Sequence, residues 1–220
     1  MFYIQLNKYK LSILTFVIIL MSLGVQSKEE RTILILGDSI GAGYGIPSEN
    51  RWTNILQDLL DSTNTRVNVI NASISGDTTQ GGLSRVSNLL KEHSPEFLVI
   101  ELGGNDALRG YPLERIKSNL LDISKIGKSY EAQIFLVQMR IPPNYGAKYT
   151  KAFENIFEEV ALTAEANLIP FMLEDIALDK NLMLPDGIHP NIHAQPLIAE
   201  HFFSHLRPII ESNSQIYRKK

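Results

Sequence analysis

The chain is 220 residues long, carries 21 Lys and Arg against 24 Asp and Glu for a formal net charge of −3, and contains no cysteine. A faintly acidic chain of this length lacks the basic stripe that a nucleic-acid-binding surface needs. The missing cysteines exclude disulfides, thiolate metal ligands and a lipid anchor through sulfur.

In chain order, the first element is a leader. Lys8 and Lys10 form a basic start, Leu11 to Leu23 is an apolar run, and Val25-Gln26-Ser27 ends in a small residue, the three parts of a secretory signal peptide. A membrane span needs about 20 apolar residues. The run is shorter, so cleavage is preferred over a permanent anchor; breaks after Gly24 and after Ser27 both stay open. Residues 1–27 are thus read as a signal peptide and 28–220 as one domain, without a stable membrane anchor after cleavage and with a core large enough to fold unaided.

The remaining chain alternates short apolar runs with amphipathic stripes. Thr32 to Leu36, Val67 to Ile70, Phe97 to Ile100, Ile134 to Met139 and Leu168 to Phe171 are continuous apolar runs of the kind buried on both faces of a parallel sheet. Between them, Trp52, Ile55, Leu56, Leu59 and Leu60 form one helical stripe. Leu83, Val86, Leu89 and Leu90 form a second, Ile116, Leu120 and Ile123 a third, and Phe153, Ile156, Phe157, Val160, Ala161 and Ala164 a fourth. This pattern predicts an α/β fold, a three-layer α/β/α sandwich with right-handed crossovers.

Four polar islands punctuate the pattern. Gly37-Asp38-Ser39 ends the first strand, Ser75-Gly76-Asp77-Thr78-Thr79 follows the second, Gly103-Gly104-Asn105-Asp106 follows the third, and Asp186-Gly187-Ile188-His189-Pro190 lies near the C-terminus. The first three fall at the carboxyl edge of the sheet, where open α/β folds bind ligands. A serine hydroxyl becomes a nucleophile when an adjacent base accepts its proton, and His189 is the candidate base. Its imidazole needs a third group to fix one tautomer, and Asp186 stands three residues before it across a glycine turn. Ser39, His189 and Asp186 therefore form the expected catalytic triad. The backbone N–H groups of Ser39 and Gly76 and the side-chain amide of Asn105 are the expected oxyanion-hole donors.

Rival readings are weaker. Gly41-Ala42-Gly43-Tyr44-Gly45 follows a strand, but its third glycine is out of register for a dinucleotide loop and no P-loop lysine is present. These glycines instead let the backbone turn beside the nucleophile. The histidines show no metal-ligand spacing, His193 reads as a bystander, and Ser73 and Ser75 do not follow a strand-ending glycine directly. Asp38 and Asp77 read as acceptors within their turns, and Asp106 as an orienter of Asn105 or of its loop. Leu108, Tyr111, Ile141, Pro142, Tyr145 and Leu184 are candidate liners of an apolar acyl groove.

The four islands, in this order, resemble the conserved blocks of the SGNH (GDSL-type) hydrolase superfamily, whose serine, glycine, asparagine and histidine fall here on Ser39, Gly76, Asn105 and His189. The runs Ile70 to Thr78, Glu101 to Asp106 and Asp186 to Asn191 are similar to the bacterial periplasmic thioesterase and lysophospholipase members, and the likeness covers nearly all of 28–220. Ile40 replaces the usual leucine after the nucleophile, an apolar exchange that packs equally well. The resemblance implies a five-stranded flavodoxin-like sheet and a periplasmic monomer that hydrolyses small-molecule or lipid acyl esters and thioesters without metal or cofactor. It also implies two substrate-facing loops, Leu108 to Tyr111 and Arg140 to Gly146. A carbohydrate O-acetyl esterase is the nearest alternative within the superfamily. A catalytically silent binding module is the alternative outside it, disfavoured because every expected catalytic group is present.

Overall fold

The computed structural model describes residues 31–63 and 65–217; the expected leader and the basic tail Arg218-Lys219-Lys220 lie outside them. Five strands, β1 (Arg31–Gly37), β2 (Val67–Asn71), β3 (Phe97–Glu101), β4 (Gln133–Val137) and β5 (Asn167–Ile169), form one parallel sheet in the order β2-β1-β3-β4-β5. This is the flavodoxin-like order the resemblance implies. Every residue of β1 and β3 is buried, which is why their sequences read as unbroken apolar runs rather than alternating ones.

Six α-helices accompany the strands among the described residues: α1 (Trp52–Asp61), α2 (Thr79–His93), α3 (Gly104–Leu108), α4 (Leu113–Ser129), α5 (Ala147–Ala164) and α6 (Gln195–Tyr217). Helix α1 packs with α6 on one side of the sheet, and α2, α4 and α5 pack in series on the other. The four expected stripes are the buried faces. In α5, Phe153 and Phe157 meet edge to face at 5.2 Å, and in α1 the buried Trp52 stacks on Phe202 of α6 at 4.2 Å. Aromatic pairs of this kind add to the burial energy of each ring.

Two strands end earlier than the hydrophobic pattern suggests. β4 stops at Val137 rather than Met139, and β5 at Ile169 rather than Phe171. Pro170 has no N–H to donate and ends β5, so β4 makes one more bond, from Gln138 N–H to the Ile169 carbonyl at 2.8 Å, and then has no β5 residue left to pair with. Met139 nevertheless stays 2% exposed: apolarity there reports burial in the core and not strand pairing.

The order also locates a crevice. From β1 the chain moves outward to β2, then crosses back over β1 to β3, so the connections leaving β1 and β3 depart toward opposite faces. At that switch point the carboxyl ends of neighbouring strands are left open above the sheet. Gly37, at the end of β1, pairs in register with Glu101 at the end of β3.

Candidate active site

Past Gly37 the chain turns at once. Ala42 N–H donates to the Asp38 carbonyl at 2.9 Å, Gly43 to that of Ile40 at 3.1 Å and Tyr44 to that of Ser39 at 3.0 Å. This tight turn holds Ser39 at the sheet edge, half-buried. Trp52 braces it from behind, its indole N–H donating to the Ile40 carbonyl at 2.9 Å.

The second island is sewn to the first. Ala72 N–H donates to the Ile35 carbonyl at 2.9 Å and Ile74 N–H to that of Gly37 at 3.0 Å, after which a turn closed by Asp77 N–H on the Ile74 carbonyl at 3.0 Å presents Gly76. Arg85 of α2 clamps this turn, binding the Asp77 carboxylate at 2.8 Å and the Ala72 carbonyl. The third island begins α3, where Asn105 donates through Nδ2 to Asp38 Oδ2 at 2.9 Å. Asp106 does not orient Asn105 directly. Its buried carboxylate accepts from the N–H and hydroxyl of Thr79, at 2.9 and 2.7 Å, and so ties the start of α2 to α3.

The fourth island closes over the crevice from the loop before α6. Leu184 N–H donates to the His189 carbonyl at 2.7 Å, and Gly187 N–H to that of Leu184 at 3.0 Å. Gly187 sits at φ +66°, a left-handed conformation that glycine adopts without the steric cost a Cβ would bring. The turn lets Asp186 curl back: Oδ1 accepts from the N–H groups of Ile188 and His189 at 2.9 and 3.0 Å, and Oδ2 lies 2.7 Å from His189 Nδ1. On the far side of the ring, His189 Nε2 lies 2.8 Å from Ser39 Oγ.

Electrostatics separates the two aspartates of the site. Partial burial opposes ionisation of Asp186, but the hydrogen bonds from His189 and Ile188 and the nearby imidazole outweigh it and hold the carboxyl down at about 2. Asp186 is therefore an anion that accepts from Nδ1–H, leaving Nε2 as the acceptor that faces Ser39. Asp38, 3% exposed, is pushed up to about 6 by burial, against the hydrogen bonds of Ile40, Glu101 and Asn105 and the His189 charge.

Among the described residues the N–H groups of Ser39 and Gly76 have no hydrogen-bond acceptor in the protein. Asn105 uses one of its amide hydrogens on Asp38 and keeps the other. Three donors on the turns at this edge of the sheet thus keep a hydrogen free, the kind of group that can stabilise an oxyanion. Among the described residues no three His, Asp or Glu side chains gather as a metal site.

The candidate liners divide. Pro142 and Tyr145 are exposed, Leu108, Tyr111 and Leu184 are half-buried, and Ile141 is 8% exposed within the core. Sequence reasoning missed Tyr44, whose ring lies 4.5 Å from that of His189, and Arg109, which donates to the Gly76 carbonyl at 3.0 Å. Tyr44 is hidden among glycines read for their backbone alone; Arg109 falls in the expected substrate-facing loop, but its contact with Gly76 has no sequence signal, since that partner lies on another strand's loop. His193 is exposed, and its ring makes no hydrogen bond among the described residues.

Comparison with known proteins agrees with this architecture. Residues 35–195 match the GDSL-like lipase/acylhydrolase family. The chain is 43% identical to an arylesterase of Vibrio mimicus over 81% of this chain and 89% of that one. It is 42% identical to thioesterase 1/protease 1/lysophospholipase L1 of Escherichia coli K12, over 83% of this chain and 86% of that protein. Among solved structures, the psychrotrophic esterase EstA of a Pseudoalteromonas species superposes with a TM-score of 0.80 at 40% identity, covering 82% of this chain and 99% of that one. The chain belongs to the GDSL-like lipase/acylhydrolase family and is an ester or thioester hydrolase.

Proposed function

We propose that the protein is an exported serine esterase acting on acyl esters and acyl thioesters through an acyl-Ser39 intermediate. The observation that carries this reading is the continuous pair of contacts Ser39 Oγ to His189 Nε2, 2.8 Å, and His189 Nδ1 to Asp186 Oδ2, 2.7 Å.

In the first half-reaction Ser39 Oγ gives its proton to Nε2 and bonds to the acyl carbon, placing negative charge on the former carbonyl oxygen. The N–H groups of Ser39 and Gly76 and the Asn105 amide stabilise that oxyanion, and Asp186 stabilises the imidazolium. Collapse breaks the bond to the leaving alcohol or thiol, which takes the proton from Nε2. Water then repeats the sequence with His189 as base, and the fatty acid departs. Each step is acid–base and nucleophilic chemistry of this chain's own side chains, so the reading invokes no cofactor.

The substrate class is read from the site's surroundings and its relatives. Tyr44, Ile74, Tyr145 and Ile188 are exposed apolar side chains in the segments that surround the Ser39 edge, suited to an acyl chain or a lysophospholipid. Chain-length selection is assigned to the loop of Leu108 to Pro112; Pro142 and Tyr145 are further groove liners, and Ile141 supports them from within the core. Relatives named arylesterase and thioesterase 1/lysophospholipase L1 support esters and thioesters alike. The basic start and apolar run of 1–27 support export to the periplasm, and no helix among the described residues is long and apolar enough to cross a membrane. The working unit is read as a monomer.

A panel of p-nitrophenyl acyl esters, acyl-CoA thioesters, lysophospholipid and acetylated sugars, run with wild type and Ser39→Ala, tests the reading. Acyl-ester and thioester turnover that vanishes in S39A, with the fold unchanged by circular dichroism, is the expected result. Turnover confined to acetylated sugars would move the substrate class. Near-normal turnover by folded S39A would remove Ser39 as nucleophile.

A further inference from the structure

Beneath the Ser39 turn lies a carboxyl group with no part in the mechanism above. Glu101 ends β3, a strand buried at every residue, and its own side chain is 0% exposed. Oε2 accepts the N–H of Asp38 and the N–H of Gly41, both at 3.1 Å. These two amides belong to the residue before the nucleophile and the second residue after it. Glu101 therefore holds the turn at both ends from below. Oε1 has no partner among the described residues, and neither does the buried hydroxyl of Ser73 from the loop after β2. Both side chains press so closely on the turn that a Cβ added to Gly37 or Gly41 would collide with Glu101 Oε2 and Ser73 Oγ. That close approach accounts for glycine at both positions.

We infer that Glu101 is a positioning residue for the hydrolytic reaction, acting as a neutral carboxylic acid that fixes the Ser39 turn and, through its partner Asp38, the Asn105 amide. The inference rests on the reading of Ser39 and Asn105 given above. The chain of contacts is direct: Glu101 binds the Asp38 amide, the Asp38 carboxylate accepts from Ile40 N–H at 3.1 Å and from Asn105 Nδ2 at 2.9 Å, Ile40 being the residue after Ser39 and Asn105 the side-chain donor of the proposed oxyanion site. One buried side chain thereby couples the height of the nucleophile to the aim of the amide donor.

The surroundings explain why the acid is neutral. The groups that face it are the Asp38 carboxyl from the β1 turn and the Ser73 hydroxyl from the β2 loop, with the neutral amide of Asn105 from α3 and the imidazole of His189 beyond Asp38. Arg85 of α2 approaches the neighbouring Gly37 carbonyl at 3.4 Å but is engaged by Asp77. Among the described residues no cation pairs with Glu101 itself, and two adjacent buried carboxyls cannot both ionise cheaply. Burial and the Asp38 charge raise Glu101 well above the ordinary carboxyl range, against the Asp38 and Gly41 amides that lower it. The pair is thus one carboxylate, Asp38, and one acid, Glu101, whose proton can be directed to Asp38 or to the free Ser73 hydroxyl.

Glutamine reproduces a neutral glutamic acid: its carbonyl can accept from Asp38 and Gly41, and its NH₂ can donate as the acid proton does. Leucine keeps the bulk and leaves both turn amides without an acceptor. The test compares wild type, Glu101→Gln and Glu101→Leu for kcat and KM on a p-nitrophenyl ester, after a fluorophosphonate probe and peptide mass spectrometry have located the labelled serine. We expect E101Q to stay within about threefold of wild-type kcat and E101L to lose about 100-fold in kcat at little-changed KM, the penalty of a misplaced reacting group. Because the folded-state carboxyl is raised, wild type loses stability as pH rises from the ordinary glutamate range, and E101Q lacks that decline.

The outcomes separate. If Ser39 is labelled and E101Q is as damaged as E101L, the neutral-acid assignment is overturned while the Ser39 reading stands. A folded E101L with wild-type kcat overturns the positioning role. Should E101L fail to fold, the pH–stability profile of E101Q decides, and a profile superimposable on wild type overturns the inference. Absence of label at Ser39 overturns the Ser39 reading and this inference together.

Discussion

Replacing Asp186 by Asn tests the acid–base arrangement at its most informative atom. The amide is nearly isosteric, and its oxygen is pinned: two backbone N–H groups, those of Ile188 and His189, donate to Oδ1 at 2.9 and 3.0 Å. With the oxygen held there, the NH₂ faces His189 Nδ1 and donates to it, which forces the ring proton onto Nε2. That nitrogen then cannot accept from Ser39. The enzyme has one escape, flipping the amide so that its oxygen meets Nδ1–H at the expense of the two backbone bonds, each worth about 1 kcal/mol net. Even then a neutral acceptor replaces a carboxylate beside the imidazolium, a further loss of about 1–2 kcal/mol. The sum, about 3–4 kcal/mol, corresponds to a fall of about 10²–10³ in kcat/KM. This is less than the ~10⁴ known for a buried triad aspartate, and the difference is physical, since the Asp186 side chain is 38% exposed and its charge is partly screened. The assay is steady-state hydrolysis of a p-nitrophenyl ester, with thermal unfolding as control. The half-exposed carboxylate contributes little packing, so the unfolding midpoint should shift little. A D186N rate within tenfold of wild type, with the fold intact, would show that Asp186 does not set the tautomer of His189.

Four further outcomes follow from contacts of the same kind. Asn105→Ala removes one of the proposed oxyanion donors and should lower kcat by about 10²–10³ while KM changes little, read from saturation kinetics. Gly187→Ala places a Cβ at φ +66° and costs about 1–2 kcal/mol in the turn; activity should fall more than global stability, because the strain is spent on the loop that carries Asp186 and His189. Trp52→Ala empties a wholly buried site and leaves the Ile40 carbonyl with the Gly43 N–H as its remaining donor, and should cost about 3–5 kcal/mol in a urea titration. A smaller loss would mean that Phe202 and its neighbours collapse into the space. The pH dependence of stability has contributions of both signs. Asp186, held down at about 2, contributes stability above the ordinary aspartate value that is lost as pH falls through about 2. Asp38, pushed up to about 6, contributes stability below the ordinary value that is lost as pH rises through about 6. A urea-midpoint profile that kept rising through pH 6 would contradict the burial assigned to Asp38.

How far the site could be read from sequence depends on whether a residue's role is local. Gly37-Asp38-Ser39 and Asp186-Gly187-Ile188-His189 are short because their work is done within a few residues: a strand must break, a carboxylate must reach the ring three positions on. Such islands are legible wherever they fall, and the parallel order then brings residues 150 apart in sequence to 2.8 Å. Contacts between elements leave no such trace. Glu101 is the last letter of an apolar strand, and only the register that sets it opposite Gly37 turns it into the group that holds the Asp38 and Gly41 amides. Arg109 meets Gly76 across two loops for the same reason, and Tyr44 acquires a role only when the His189 loop folds down on it. Hydrophobicity has a matching blind spot. It marks Met139 and Ile141 as apolar, but Met139 is core beyond the end of its strand and Ile141 is core within a loop, because burial depends on which way a side chain faces and not on what it is. The charged residue that interrupts an apolar strand at its carboxyl end is therefore the one to question first: burying it has a cost that a neutral side chain would avoid, and here the two amides of the Ser39 turn are what it is buried to hold.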